Sequence, residues 1–413
     1  MSEKIKKLIQ DKNKFFSLII VAVAFAIFFI FYLDNNILGD QVGLWSYISN
    51  HENQNPFALW NWAGGGGTPH TLNPEYSFLE FSYFINILVK DITLRANIIN
   101  AIHAVILFVG MFLLCNHLRK NFNASLIGAM VALFSGNAIR NIGNNPYYFA
   151  LAYVPFIFYF TIKLLEEPKY IYSFALAVSF TLLVLSGGIS TLLWLIFYLP
   201  IFFLLYFAFF FDKNKLQKQI IFLVIAFILF VLFSLFKIWG GYVYMQDTGA
   251  RSSAQPYELF MQGIGAPQEL VPKIFSIIIP AQTYDHIGLW LGPIGILLIL
   301  FSIPNFKKRK YLLFALIMVI SILVVSDTIF TTMAHKIPFL NRLKDVVKSL
   351  FIFSISAGVI ASFGYTSIEK FLKNELKFLP QIVLSLLVIQ FSLFFIIFPN
   401  PTALTKESNV NKF

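Results

Sequence analysis

The chain has 413 residues, of which 58% are hydrophobic and only 12% charged, with 49 phenylalanines, a mean hydropathy of +0.74 and a formal net charge of +11. That much apolar surface cannot be hidden inside one soluble globule, so the composition calls for lipid. The single cysteine, Cys115, lies in an apolar run and excludes an intramolecular disulfide, a thiolate metal cluster and a redox pair.

Residues 1–14 form a short basic N-terminus with Lys4, Lys6, Lys7, Lys12 and Lys14. The first apolar stretch, 15–33, approaches the roughly 20 residues a helix needs to cross hydrocarbon while satisfying its own backbone. No small-residue cleavage site follows it, so it reads as a retained helix, not a signal peptide. A polar passage, 34–96, comes next, with six acids against two strong bases.

Ten more apolar stretches follow, at 97–115, 124–134 (weaker), 147–165, 171–185, 191–211, 220–238, 287–303, 311–325, 350–363 and 378–398. Eleven spans predict an all-α, polytopic integral membrane protein. The organisation expected is an N-terminal module over 15–238 containing the large outer loop 34–96, a second outer loop at 239–286, C-terminal helices over 287–398 and a short outer tail at 399–413.

Charge placement tests this count. With the N-terminus cytoplasmic, the inner segments hold the five N-terminal lysines, Arg119, Lys120, Lys163, Lys169, Lys213, Lys215, Lys218, Lys307, Lys308, Arg309, Lys310, Lys370, Lys373 and Lys377. Nineteen of the 31 basic residues thus fall in short loops on alternate sides, as the positive-inside rule requires. The net positive charge is a topology signal and no argument for nucleic-acid binding. A multi-pass protein of the bacterial cytoplasmic membrane is expected, with membrane lipids around it.

The outer segments are where chemistry is expected. In 34–96, residues 41–48 and 78–89 mix aromatic and aliphatic residues with polar ones, the pattern of short helices lying in the interface. Trp45, Trp60, Trp62, Tyr76 and Tyr83 suit an aromatic belt at headgroup level, serving as anchors or stacking on a ligand. Gly64 to Gly67, then Thr68 and Pro69, make a permissive turn, but no GK[ST] follows and it is no nucleotide loop. Asp40 stands just after the first helix, where a carboxylate can face a lipid-level cavity or simply be solvated. His103 lies inside the second span, where an ionisable group is either functional or a helix-to-helix hydrogen bond.

The stretch GDQVGLWSYISNHENQNPFALWNWAGGGGTPHTLNPEYSF resembles the first outer loop of YfhO-like bacterial membrane proteins, with Gly-Asp, Phe-x-x-Trp-Asn and a Gly-x-Pro turn in order. YVPFIFYFTIKLL, LSGGIST, TGARSSAQPYELF, IIPAQTYDHIGLWLGPIGILLIL and HKIPFLNRLKDVVKSLFIFSISAGVIASFGYTSIEK resemble later segments of that family. Those proteins are similar to GT-C glycosyltransferases. The resemblance implies a GT-C-like fold and transfer of a sugar from a polyprenyl-phosphate donor to a cell-envelope glycopolymer or lipid acceptor on the outer face. It also implies Asp40 as the catalytic base of an inverting displacement. Arg251 is the first candidate for the leaving phosphate, followed by Arg342, Arg140 and His70. Trp60, Asn61, Gly66 and Gly67 complete the expected binding set.

A divalent cation, Mg or Mn, stays open: Asp34, Asp40, His51, Glu52 and His70 show no diagnostic ligand spacing. The relatives continue into more helices and a large outer domain, so the chain is either a compact member or a fragment. A transporter or flippase of a lipid-linked saccharide would use a similar polar cavity, with Ser186 to Ser190 and Gly292 to Gly295 as helix breaks. A non-catalytic membrane scaffold is the third reading; it would not need Asp40 or Arg251.

Overall fold

A computed structural model describes residues 13–27, 60–61, 68–69, 73, 77, 79–142, 145–247, 253–260, 289–343, 346–372 and 378–397. Helix α1 (Asn13–Ile27) opens the described part. A two-residue antiparallel ladder, β1 (Trp60–Asn61) on β2 (Thr68–Pro69), pairs Trp60 with Pro69 and Asn61 with Thr68 and so brackets the glycine stretch 64–67. Helices α2 (Phe81–Leu88), α3 (Ile92–Arg119), α4 (Phe122–Leu133), α5 (Gly136–Ile142), α6 (Asn145–Glu166), α7 (Tyr170–Leu185), α8 (Ile189–Phe210) and α9 (Lys213–Asp247) follow. The short α10 (Tyr257–Phe260) precedes α11 (Gly292–Ser302), α12 (Arg309–Val324), α13 (Ile329–Lys336), α14 (Phe351–Phe371) and α15 (Leu379–Ile397).

Each of the eleven apolar stretches of the sequence coincides with a helix, so the all-α polytopic architecture stands. By length and composition, five described helices can cross a membrane; α12 and α13 form a pair bent by 79°, and five shorter apolar helices, α1 among them, complete the set. A short helix, α2, forms within 78–89 as expected, whereas 41–48 lies outside the described residues. The break expected at Ser186 to Ser190 is the turn between α7 and α8, where Gly187 takes φ +87° and Gly188 packs on Ala150 of α6. Gly292, at φ +70°, begins α11 instead of interrupting a helix, and Gln390 of α15 clamps that start through the Leu291 carbonyl and the Ile294 amide.

The centre of the bundle is α14, nearly all of which is buried. It packs against α4, α11 and α12. Small residues permit the approach: Gly128 of α4 and Gly358 of α14 face one another so closely that a Cβ on either would lie 2.6 Å from the other's carbonyl oxygen. Gly364 meets the Leu298 carbonyl of α11 in the same way. By contrast α9 is mostly exposed, with Ile228, Leu232, Leu235 and Trp239 turned outward, as suits a lipid-facing helix.

Side-chain contacts confirm the alternation of the helices. The Glu166 carboxylate, at the end of α6, meets His117 of α3 and Lys310 of α12, both at 2.7 Å. Close by in the chain, Gln219 of α9 donates to the Leu165 carbonyl, Arg119 to Thr366 of α14, and Asn121 to Glu369. Residues at or beside five different inter-helix connections therefore meet at one end, the basic end. The opposite end, the loop end, carries α2, α5, α10 and α13.

Candidate functional site

The loop end contains a buried, fully bonded ionisable cluster. Helix α2 is turned inside out relative to a soluble amphipathic helix: Phe81, Phe84 and Leu88 are exposed while Glu80 and Ser82 are buried. Exposed apolar side chains on an interfacial helix meet lipid, and the polar face is left for the protein. Glu80 caps α2, accepting from the Ser82 amide at 2.9 Å and the Ser82 hydroxyl at 2.5 Å. Its other oxygen accepts from Tyr153 of α6 at 2.5 Å and lies 2.9 Å from His103 Nε2 on α3.

His103 Nδ1 lies 2.8 Å from the Ile99 carbonyl, so both ring nitrogens are hydrogen-bonded, one to a backbone carbonyl and one to the carboxylate. Phe149 stacks on the imidazole at 4.1 Å between centroids, and Tyr153 meets it edge-on at 6.0 Å. Burial opposes ionisation of Glu80, but the His103 charge and the bonds from His103, Ser82 and Tyr153 outweigh it and hold the carboxyl near 2, well below its ordinary range. The residue before the cap, Leu79, has φ +53°, a conformation that costs a branched side chain about 1–2 kcal/mol, so the surroundings impose it.

Two more buried cations lie at this end. Arg95, with no exposed surface, donates to the Val89 carbonyl at 2.7 Å and the Lys90 carbonyl at 3.1 Å, closing the end of α2 onto the start of α3. Lys237 of α9 is also fully buried although its helix is mostly lipid-exposed, and it donates to the Asn73 carbonyl at 2.7 Å. The segment at Asn73, part of the first outer loop, is thereby drawn over the upper part of α9. On α3 and α6, which pack along one another, the amide of Asn97, the Asn100 oxygen and the Tyr148 hydroxyl are buried without a hydrogen-bond partner. Such atoms are few in native proteins and mark places where water or a ligand supplies the missing bond.

Among the residues expected from sequence, Asp40, Arg251, His70, Gly66 and Gly67 lie outside the described residues, as do Asp34, His51, Glu52, Trp45, Trp62 and Tyr76. Trp60 and Asn61 are described as strand backbone, and Arg140 as backbone of α5. Arg342 is described in full: it closes the 3-10 turn Leu340–Arg342, half-buried, with its guanidinium 5.2 Å over the Phe339 ring. Among the described residues no three His, Cys, Asp or Glu side chains converge on a metal-sized site.

Sequence reasoning weighed His103 but passed over Glu80, Arg95 and Lys237. Lys237 had an available signal, an ionisable residue inside an apolar span. Glu80 had a weaker one, a lone carboxylate in the aromatic run FLEFSYF.

No protein-family model matches the chain, and no curated protein matches it. Among solved structures it is similar to the cryo-EM structure of the arabinofuranosyltransferase AftD from Mycobacteria, with a TM-score of 0.55 over 90% of this chain and 13% sequence identity. The chain spans about a quarter of the length of that protein, 26%. The narrower YfhO-like kinship thus finds no family model to support it, whereas the broader expectation does find a counterpart. Over its described residues the chain is an almost wholly helical membrane protein whose fold is similar to that of part of AftD.

Proposed function

We propose that the protein is a membrane glycosyltransferase that takes a sugar from a polyprenyl-phosphate carrier and passes it to a cell-envelope acceptor. The observation that carries this reading is the fold, shared over 90% of the chain with an arabinofuranosyltransferase. In this reading the basic end is cytoplasmic and the loop end faces the outside of the bacterial membrane, consistent with the placement of basic residues.

Asp40 is the proposed base. It takes the proton of the acceptor hydroxyl as that oxygen bonds to the anomeric carbon, the bond from carbon to phosphate oxygen breaks, and polyprenyl phosphate leaves with inversion. Arg251 and Arg342 are the proposed phosphate partners, with Arg140 and His70 in support and Trp60, Asn61, Gly66 and Gly67 around the donor. Lys237 joins them on the ground of its burial beneath the Asn73 segment. A divalent cation, Mg or Mn, would be held by the acids of the first outer loop and would neutralise charge on the leaving phosphate.

Reconstitution with a labelled polyprenyl-phosphate sugar and envelope acceptors tests the proposal. Wild type transfers label and Asp40→Asn does not; undiminished transfer by the variant removes Asp40 from the mechanism. A flippase is favoured by one observation, the 79° bend between α12 and α13 at the loop end, since transporters use broken helices. Movement of label across the bilayer without transfer selects that reading.

A further inference from the structure

A second group of buried polar atoms lies at the loop end, around the start of α14. The indole Nε1 of Trp194 and the hydroxyl of Tyr198, one turn apart on α8, are buried without a hydrogen-bond partner. So are the Ser349 hydroxyl and one terminal guanidinium nitrogen of Arg342. Trp194, Tyr198 and Ser349 are each at most 1% exposed. The Tyr198 and Ser349 hydroxyls are neighbours that stop short of hydrogen-bond geometry, so each keeps bonding capacity for a ligand, and α8 packs against the 3-10 turn Val346–Leu350 that carries Ser349. Phe260 links this wall to the next: its ring is 5.9 Å from Trp194, and α10 packs against the turn that carries Arg342. The segment is stapled down by Tyr257 on Asp327 at 2.6 Å and by the Gln255 amide on the Asn341 carbonyl at 2.7 Å. Phe339, beneath the Arg342 guanidinium, is forced to φ +72°.

We propose that Trp194, Tyr198, Ser349 and Arg342 form a saccharide-binding subsite; the assignment deepens the glycosyltransferase reading and rests on it. Trp194 and Arg342 can only donate, whereas the two hydroxyls donate or accept. The matching ligand offers several acceptor oxygens, some hydroxyl donors and an apolar face for the rings of Trp194 and Phe260. A sugar ring has all three; inorganic phosphate lacks the apolar face. Trp194 sits about 7 Å below the start of α8, a depth that a sugar at the headgroup level reaches. The sugar belongs either to the lipid-linked donor or to the acceptor glycan.

The test uses the full chain in lipid nanodiscs, with Trp194→Phe and Ser349→Ala as variants. One arm titrates soluble arabino-, manno-, gluco- and galacto-oligosaccharides; another titrates a polyprenyl-phosphate arabinofuranose, with inorganic phosphate as control. At least one sugar probe binds wild type, and each variant weakens it about tenfold, the loss expected for one hydrogen bond. Tm stays level or rises, because an unpartnered buried group does not stabilise the fold. Soluble-glycan binding identifies the acceptor, and binding of the lipid-linked sugar alone identifies the donor. Absence of sugar binding in both arms overturns the subsite, as does binding insensitive to the variants or a Tm loss of several degrees without a binding change. Variant-sensitive binding in a protein that never transfers sugar keeps the subsite and removes the glycosyltransferase reading; transfer with variant-insensitive binding does the reverse.

Discussion

His103 and Glu80, 23 residues apart, meet at 2.9 Å with neither side chain exposed, and this contact fastens the start of the short helix α2 to the transmembrane helix α3, as Arg95 fastens its end. Removing one partner of a buried pair leaves the other charge uncompensated, at a cost of about 3–5 kcal/mol. Glu80→Ala and His103→Ala are each expected to lose that much, and the double variant clearly less than the two together. Unfolding of the purified protein in detergent measures it; strict additivity would show that the contact carries no coupling.

The same carboxyl predicts a pH response. Its pKa falls from an ordinary 4.5 to about 2 on folding, so the protonated form is favoured in the unfolded chain. The stabilisation is complete above about 4.5 and declines as pH drops towards 2. The Tm difference between wild type and Glu80→Gln therefore narrows as pH falls below about 4.5. A gap that widens on acidification would contradict the ionised carboxylate.

Gly128, Gly358 and Gly364 set the separation of α14 from its neighbours. A Cβ at Gly128 or Gly358 lies 2.6 Å from a backbone oxygen that cannot rotate away. Overpacking of a rigid crossing costs about 1–3 kcal/mol or more, and Gly364→Ala, which drives into the Leu298 carbonyl, is expected at or above the upper end. Yield of monodisperse protein and Tm read this out.

Lys237 separates a binding role from a structural one. Lys237→Met keeps the stem volume in an apolar helix and removes the charge, so the fold is retained. If Lys237 meets the donor phosphate, KM for the lipid-linked sugar rises about tenfold or more, and Lys237→Arg restores part of it. Unchanged kinetics in Lys237→Met leave the residue as an anchor of the Asn73 segment.

The helices were legible because crossing hydrocarbon demands long apolar runs, and all eleven stretches coincide with helices. The end of α9 was less legible: YVYMQD lowers the hydropathy after 238 yet continues the helix to Asp247. Hydropathy ended α12 within a residue, at 325, but gave no sign of α13, where Thr328 caps a new helix through a reciprocal bond with Thr331. The cluster at Glu80 was hidden for a different reason. Its partners come from α3 and α6, and only packing reveals that the polar face of an otherwise greasy short helix turns inward.

At 35 residues α9 is about 52 Å long, well beyond a hydrocarbon core of about 30 Å. Its apolar stretch, 220–238, is about 28 Å long and fits that core, so the remaining turns project beyond it. Lys237 stands at the end of the fitted stretch and holds the Asn73 carbonyl there. The first outer loop is thus moored to α9 at the depth where the helix leaves the hydrocarbon.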